Sequence, residues 1–311
     1  MVGAWPFERE YMQLALIAGL VVGACAPLIG VFLVQKRMSL LGDGIGHLAF
    51  AGVAGGFLLG VWPVWSALGV STLGAVAVER LRSRGRASGD LAIALFFYGG
   101  IAGGVVLVGL ADSLDANLFS YLFGSILTVD RGEVWVVVGL GAVIVTTIAV
   151  TGRALFAMAV DEEWAKVAGL PVDALNTVLA VLVAVTIVAS MRVVGILLVA
   201  ALMVLPVASG QVLSRSQRGT LGWSVVIGLT SVIAGLSAAY WWGLAPGGTI
   251  VLVAVATFGV VAAGDGLRRS STGRRLESGR RPVATHSEPP AHEDPEAPST
   301  VPILRDSQQR W

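Results

Sequence analysis

The sequence predicts an all-α, polytopic membrane bundle, and three observations predict it. Of the 311 residues, 55% are hydrophobic and only 13% charged, with a mean hydropathy of +0.80, whereas a soluble domain is about one quarter charged. Apolar stretches of about 20 residues, enough to cross a bilayer, recur along the chain. Basic residues alternate between the connections that join them.

Nine candidate spans follow, at roughly 11–34, 40–60, 63–79, 91–111, 133–151, 174–191, 193–213, 220–242 and 246–264. The third and sixth follow their neighbours after very short connections, so a reading with eight or nine transmembrane helices stays open. With the N-terminus outside, one side carries ten basic residues: Lys36, Arg37, Arg80, Arg82, Arg84, Arg86, Arg153, Lys166, Arg215 and Arg218. The other side carries three, Arg9, Arg131 and Arg192. The positive-inside rule places the first group in the cytoplasm, which supports nine spans with the N-terminus outside and the C-terminus cytoplasmic.

The first span contains Cys25. A single cysteine excludes an intrachain disulfide and a Cys-rich metal site. Val22-Gly23-Ala24-Cys25 has a loose likeness to a lipoprotein cleavage site, but the preceding segment lacks a basic region, and Cys25 reads as a buried small residue. Gly19/Gly23, Gly52/Gly56/Gly60 and Gly100/Gly104 have the small-xxx-small spacing that lets helix backbones approach closely in lipid. They predict a compact bundle with little lumen.

The connection 112–132 carries Asp112, Asp115, Asp130 and Glu133, with an apolar centre from Ala116 to Val129 that predicts a dip into the bundle. Its carboxylates are either solvated loop charge or a means of concentrating cations. Residues 161–168 carry helix formers, closed by Gly169 and Pro171. A short cytoplasmic helix there is either an interfacial helix with Trp164 at the headgroups or a docking element for a soluble partner. From Asp265 the chain becomes Arg-rich and then Pro/Glu/Ser-rich, with six of the twelve prolines beyond Arg281. Residues 265–311 therefore read as a disordered cytoplasmic tail. Its arginines suit anionic lipid, and His286 and His292 near Glu288, Glu293 and Asp294 are a weak metal-binding candidate.

The chemistry concentrates in Met38–Gly56, MSLLGDGIGHLAFAGVAGG. Asp43 and His47, four residues apart, share one helix face, and carboxylate with neutral imidazole suits zinc and its first-row neighbours. Ionisable groups within membrane spans are functional candidates. Asp43 has an alternative role as a helix N-cap, and an Asp–His proton relay and a structural pair are the other readings. Two ligands are too few for a closed zinc site, which suits a carrier that must release its ion. The remaining ligands would be water, other spans, or the same pair in a second subunit.

Arg37-Met38-Ser39-Leu40-Leu41-Gly42-Asp43-Gly44-Ile45-Gly46-His47 resembles the R-M-S-x-x-G-D-x-x-x-H segment of the membrane permease subunits of bacterial ABC importers for zinc, manganese or iron(II). Val194 to Pro206 is similar to their V-G-x-L-L-x-x-A-L-L-x-x-P helix, and Pro246-Gly247-Gly248 opens the last span as theirs does. Glu163-Trp164-Ala165-Lys166-Val167-Ala168-Gly169 fits the E-x-A-x-x-x-G form of their coupling loop. One departure is Phe50-Ala51-Gly52, where many members have Leu-Pro-Gly after the His, so a proline kink is absent.

The resemblance covers 11–264 and implies a permease domain over 1–264, located in the bacterial cytoplasmic membrane. It implies that Asp43 and His47 coordinate the transported metal. It also implies that about 161–169, with Asp161, Glu162, Glu163, Ala165 and Gly169, meets a cytoplasmic ABC ATPase. An extracytoplasmic metal-binding protein and a second permease copy complete the implied assembly. Zinc is the first choice of cargo, manganese the next, with iron(II) also in the family; no permanently bound cofactor and no nucleic acid are implied. No G-x-x-x-x-G-K-[ST] loop occurs, so ATP hydrolysis falls to a separate chain. The rivals are a permease for a metal chelate and an ion-coupled secondary transporter using Asp43 and His47 as a relay, although no internal repeat of the kind seen in such transporters is evident.

Overall fold

The computed structural model describes residues 9–83, 89–110, 116–126 and 129–279. Among them every regular element is helical: α1 (Glu10–Gln35), α2 (Leu41–Leu59), α3 (Pro63–Ser83), α4 (Gly89–Leu110), α5 (Ala116–Phe123), α6 (Arg131–Val160), α7 (Glu162–Val167), α8 (Val172–Ser190), α9 (Val199–Leu213), α10 (Gln217–Trp242) and α11 (Pro246–Gly279). Eight of these are long and apolar enough to cross a membrane. The chain divides into two compact units, Met1–Leu267 and Arg268–Trp311.

In the first unit, α1, α2 and α8 are the most buried spans, while α4, α6 and α11 turn most of their surface outward. Small residues set the packing as their spacing predicts, except Gly60, which has nothing within 4 Å of its Cβ position and instead ends α2 in the left-handed conformation at φ +66°. Gly19 and Gly23 receive Val232 of α10, Gly52 and Gly56 receive residues 63–67 around the start of α3, and Gly100 and Gly104 seat α4 on His47 to Phe50 of α2.

One end of the bundle gathers the last turn of α1, the first turns of α8 and α10, and α7. Gln35 hydrogen-bonds Gln217 there, and Lys36 pairs with Glu162. At the opposite end sit α5, the start of α6 and Arg192. Both oxygens of Glu133 accept from the Arg192 guanidinium at 2.7 Å, and that guanidinium lies 4.5 Å from the Tyr121 ring centre. Sequence reading counts Arg192 as an outer-loop charge, yet its side chain is only 12% exposed.

The third and sixth candidate spans are full spans, Pro63–Ser83 and Val172–Ser190. The correction falls on the seventh, 193–213: residues 191–198 leave the helix, and α9 retains only 15 residues. Non-helical backbone at membrane depth must find partners inside the protein, and here α5 supplies them. Ile196 N–H donates to the Tyr121 carbonyl at 3.0 Å, Leu197 N–H to Leu122 at 3.3 Å, and Ser125 N–H to Arg192 at 3.0 Å. Gly195 adopts φ +90°, and a Cβ there would lie 2.6 Å from the Phe123 carbonyl carbon. Residues 116–123 thus dip into the bundle, with Leu118 and Tyr121 buried.

α11 runs on to Gly279, past residue 265, where the sequence suggests disorder to begin. A helix already nucleated by an apolar span adds residues cheaply, and Arg is a good helix former. The remainder of that stretch, with His286, Glu288, His292, Glu293 and Asp294, lies outside the described residues. So do Arg84, Arg86, Asp112 and Asp115.

Candidate metal site and coupling helix

α1 ends in a hydrogen-bonded elbow. Lys36 is its C-cap, Arg37 takes the left-handed conformation at φ 56°, and Met38 N–H returns to the Leu33 carbonyl at 2.9 Å. For a residue other than glycine that conformation costs about 1–2 kcal/mol. α2 starts only four residues later, at Leu41.

On α2, Gly42 and Gly46 face the broken segment and α9: their Cβ positions would lie 3.3 Å from Ala200 Cβ and from the Ile196 carbonyl oxygen. Asp43 and His47 come one step further round, on the side of α4. Asp43 lines a cavity of about 250 Å³ together with Leu40, Asp90, Ile93, Ala94, Phe97 and Tyr98. The His47 ring stands edge-on to Phe97, centroids 4.5 Å apart. Gly100 packs directly on the His47 backbone.

Both site residues are half-buried, and among the described residues neither has a hydrogen-bond or ion-pair partner. The N-cap alternative for Asp43 fails: Leu40 is the N-cap, and no side-chain cap bond forms there. The carboxylate instead sits in the first turn, where the helix dipole favours its charge.

Asp90, in the first turn of α4, is an addition that sequence reasoning misses. It is far from Asp43 in sequence, and only the pairing of α2 with α4 brings both to one cavity. No group of three or more His, Cys, Asp or Glu residues able to hold a metal forms among the described residues. The arrangement is a one-turn Asp–His pair, with Asp43 and Asp90 lining the same cavity.

The predicted coupling stretch folds as α7. Asp161 caps it, its Oδ1 accepting from Trp164 N–H at 2.9 Å. Gly169 closes it at φ +81°, with Leu170 N–H bonding the Ala165 carbonyl at 3.0 Å, a helix stop that favours glycine. The five predicted coupling residues divide between two faces. Ala165 is fully buried and Glu162 turns toward the bundle, onto Lys36. Asp161, Glu163 and Gly169 are exposed, together with Trp164 and Val167.

The sequence pattern of the ABC 3 transport family matches residues 8–264. The high-affinity zinc uptake system membrane protein ZnuB of Haemophilus influenzae is 30% identical over 250 residues, covering 80% of this chain and 95% of its own. The manganese transport system membrane protein MntC of Halalkalibacterium halodurans is 31% identical over 249 residues, covering 80% and 85%. Among solved structures, PsaBC from Streptococcus pneumoniae in complex with Fab matches with a TM-score of 0.74 at 32% identity, covering 82% of this chain and 91% of that one. The match across nearly all the spans places this chain in the ABC 3 transport family.

Proposed function

We propose that this chain is the membrane permease subunit of an ATP-driven importer for a divalent transition metal, zinc first and manganese second. The observation that carries this reading is the pair Asp43 and His47, one turn apart on a buried helix, without a hydrogen-bond or ion-pair partner among the described residues, Asp43 lining a cavity with Asp90. An unpaired carboxylate at membrane depth is costly, and a cation that visits it offsets that cost. Relatives named for zinc and for manganese are almost equally similar. Carboxylate and imidazole accept both ions, and a given nitrogen and oxygen donor set binds zinc more tightly than manganese, so zinc is ranked first.

In this reading the elbow end of the bundle is cytoplasmic, as the loop charges suggest. A cytoplasmic ABC ATPase docks on the exposed face of α7, where Trp164 is 64% and Val167 88% exposed. A metal-binding protein delivers cargo at the opposite end, and two permease copies share the path. Metal competes with protons for Asp43 and His47, so uptake weakens in acid.

The test is reconstitution of the permease with its co-purifying ATPase in proteoliposomes, measuring ATP-dependent uptake of zinc with manganese and iron(II) as competitors. ATP-dependent uptake of zinc, displaced best by manganese, supports the reading. Uptake that needs no ATPase, or that accepts only a chelated metal, overturns it.

A further inference from the structure

α7 and the end of α1 are far apart in sequence, yet an ion pair joins them. Lys36 Nζ donates to Glu162 Oε2 at 3.1 Å and also to Asn176 Oδ1 of α8. Asn176 Nδ2 donates to Glu162 Oε1 at 3.4 Å, closing a triangle. The Lys36 side chain is only 5% exposed, and Asn176 is buried. The triangle sits beside a second pair, since the Arg82 guanidinium holds both oxygens of Glu79 at 3.0 and 3.1 Å.

Its position matters more than its strength. Lys36 caps α1 in the elbow described above, whose backbone bonds continue into α2: Leu41 N–H bonds the Met38 carbonyl at 3.0 Å, and Gly44 N–H the Leu40 carbonyl at 3.1 Å. Asp43 is the third residue of that helix. At 1.5 Å per residue it lies about 3 Å along the axis from the helix start. α7 is thus linked to the start of α2 by one ion pair and a short, hydrogen-bonded elbow. Glu162 points inward from the same helix that presents Trp164 and Val167 outward, so α7 has one face for a partner and one for the bundle.

We infer that Lys36, Glu162 and Asn176 form a strut that passes movement of the coupling helix to the metal-bearing start of α2, with Lys36 and Glu162 as positioning residues for transport. The inference rests on the permease reading above. Its mark is the number of metal ions moved per ATP hydrolysed, a ratio that loss of stability alone leaves unchanged in the molecules that remain assembled.

The experiment uses the permease–ATPase complex in proteoliposomes and measures zinc uptake and ATP hydrolysis together, in wild type, K36R, K36M, E162Q and K36M/E162Q. Wild-type ATP-dependent uptake must be present first; its absence overturns the permease reading, a different outcome from those below. Lys36→Arg keeps the ion pair and is expected to hold the ratio within about two-fold, since Arg carries the same charge. Lys36→Met and Glu162→Gln are expected to lower the ratio roughly ten-fold, a typical size for coupling between distant sites. The double variant decides between linkage and stability. It leaves no buried charge unpaired and so recovers thermal stability, but it has no strut and stays uncoupled. If K36M/E162Q assembles and transports with the wild-type ratio, or if the assembled single variants do, the inference is overturned.

Discussion

Replacing Gly100 by Ala tests whether the seat of α4 on His47 sets the geometry of the site. A Cβ at Gly100 would lie 2.7 Å from the His47 carbonyl carbon, 2.8 Å from Leu48 N and 2.9 Å from the His47 oxygen. All three are backbone atoms of a helix and cannot rotate away. Ordinary contact begins near 3.4 Å, so α4 and α2 must part by about 0.7 Å at this level, the shortfall at the closest atom. Overpacking of this kind costs about 1–3 kcal/mol. Gly99, the preceding residue, has nothing within 4 Å of its Cβ position. Gly99→Ala thus receives only the gain in helix propensity, about 1 kcal/mol. Set against that control, Gly100→Ala is expected to melt lower in detergent and to take up metal roughly ten-fold more slowly, since misplacing a reacting geometry by up to 1 Å can cost that or more. Equal melting and equal uptake in the two variants would refute the claim that α4 positions His47.

Three further outcomes follow from the same structure. Arg192→Met leaves Glu133 buried without its partner and is expected to destabilise the permease by about 3–5 kcal/mol, whereas Arg131→Met breaks only an exposed pair with Glu10 worth about 0–1 kcal/mol; thermal melting of the two variants side by side checks this. Trp164→Ala with Val167→Ser is expected to abolish co-purification of the ATPase while the permease itself melts as wild type, because both side chains are exposed. Burial raises the Glu162 carboxyl, but the hydrogen bond and charge of Lys36, with Arg82 and Lys166, outweigh it and hold the group below the ordinary carboxylate range. Its stabilisation is then present above the unfolded value and lost as pH falls through the lowered one. Glu162→Gln is expected to flatten that acid limb of melting temperature against pH. Burial holds the Lys36 ammonium below the ordinary lysine range, an effect that appears at alkaline pH and leaves the acid limb to Glu162.

Most of the fold was legible because a bilayer forces each span to be long and apolar, a demand that composition records directly. The break at 191–198 was not. Val193 to Leu202 is as apolar as any helix in the chain, and what unwinds it is backbone pairing with α5, a tertiary fact. Gly195 and Arg192 were its local traces, and neither is decisive alone. Asp43 and His47 were legible because helical spacing places both on one face. Asp90 was hidden, because only the packing of α2 on α4 brings it near. The stretch 161–169 was readable as a capped helix from Asp161 and Gly169, but six residues carry too little pattern to fix which face is inward. Lys36 fixes it, from a different part of the chain.

The central claim is that Asp43 and His47 carry the transported metal, and direct uptake measurement tests it best. Zinc uptake is followed in the reconstituted complex with Asp43→Ala and with His47→Ala, each at matched protein level and with assembly confirmed by co-purification of the ATPase. The account predicts that either change reduces uptake at least about ten-fold, since losing one of two protein ligands weakens a site that water must then complete. Unimpaired uptake in either assembled variant would contradict it.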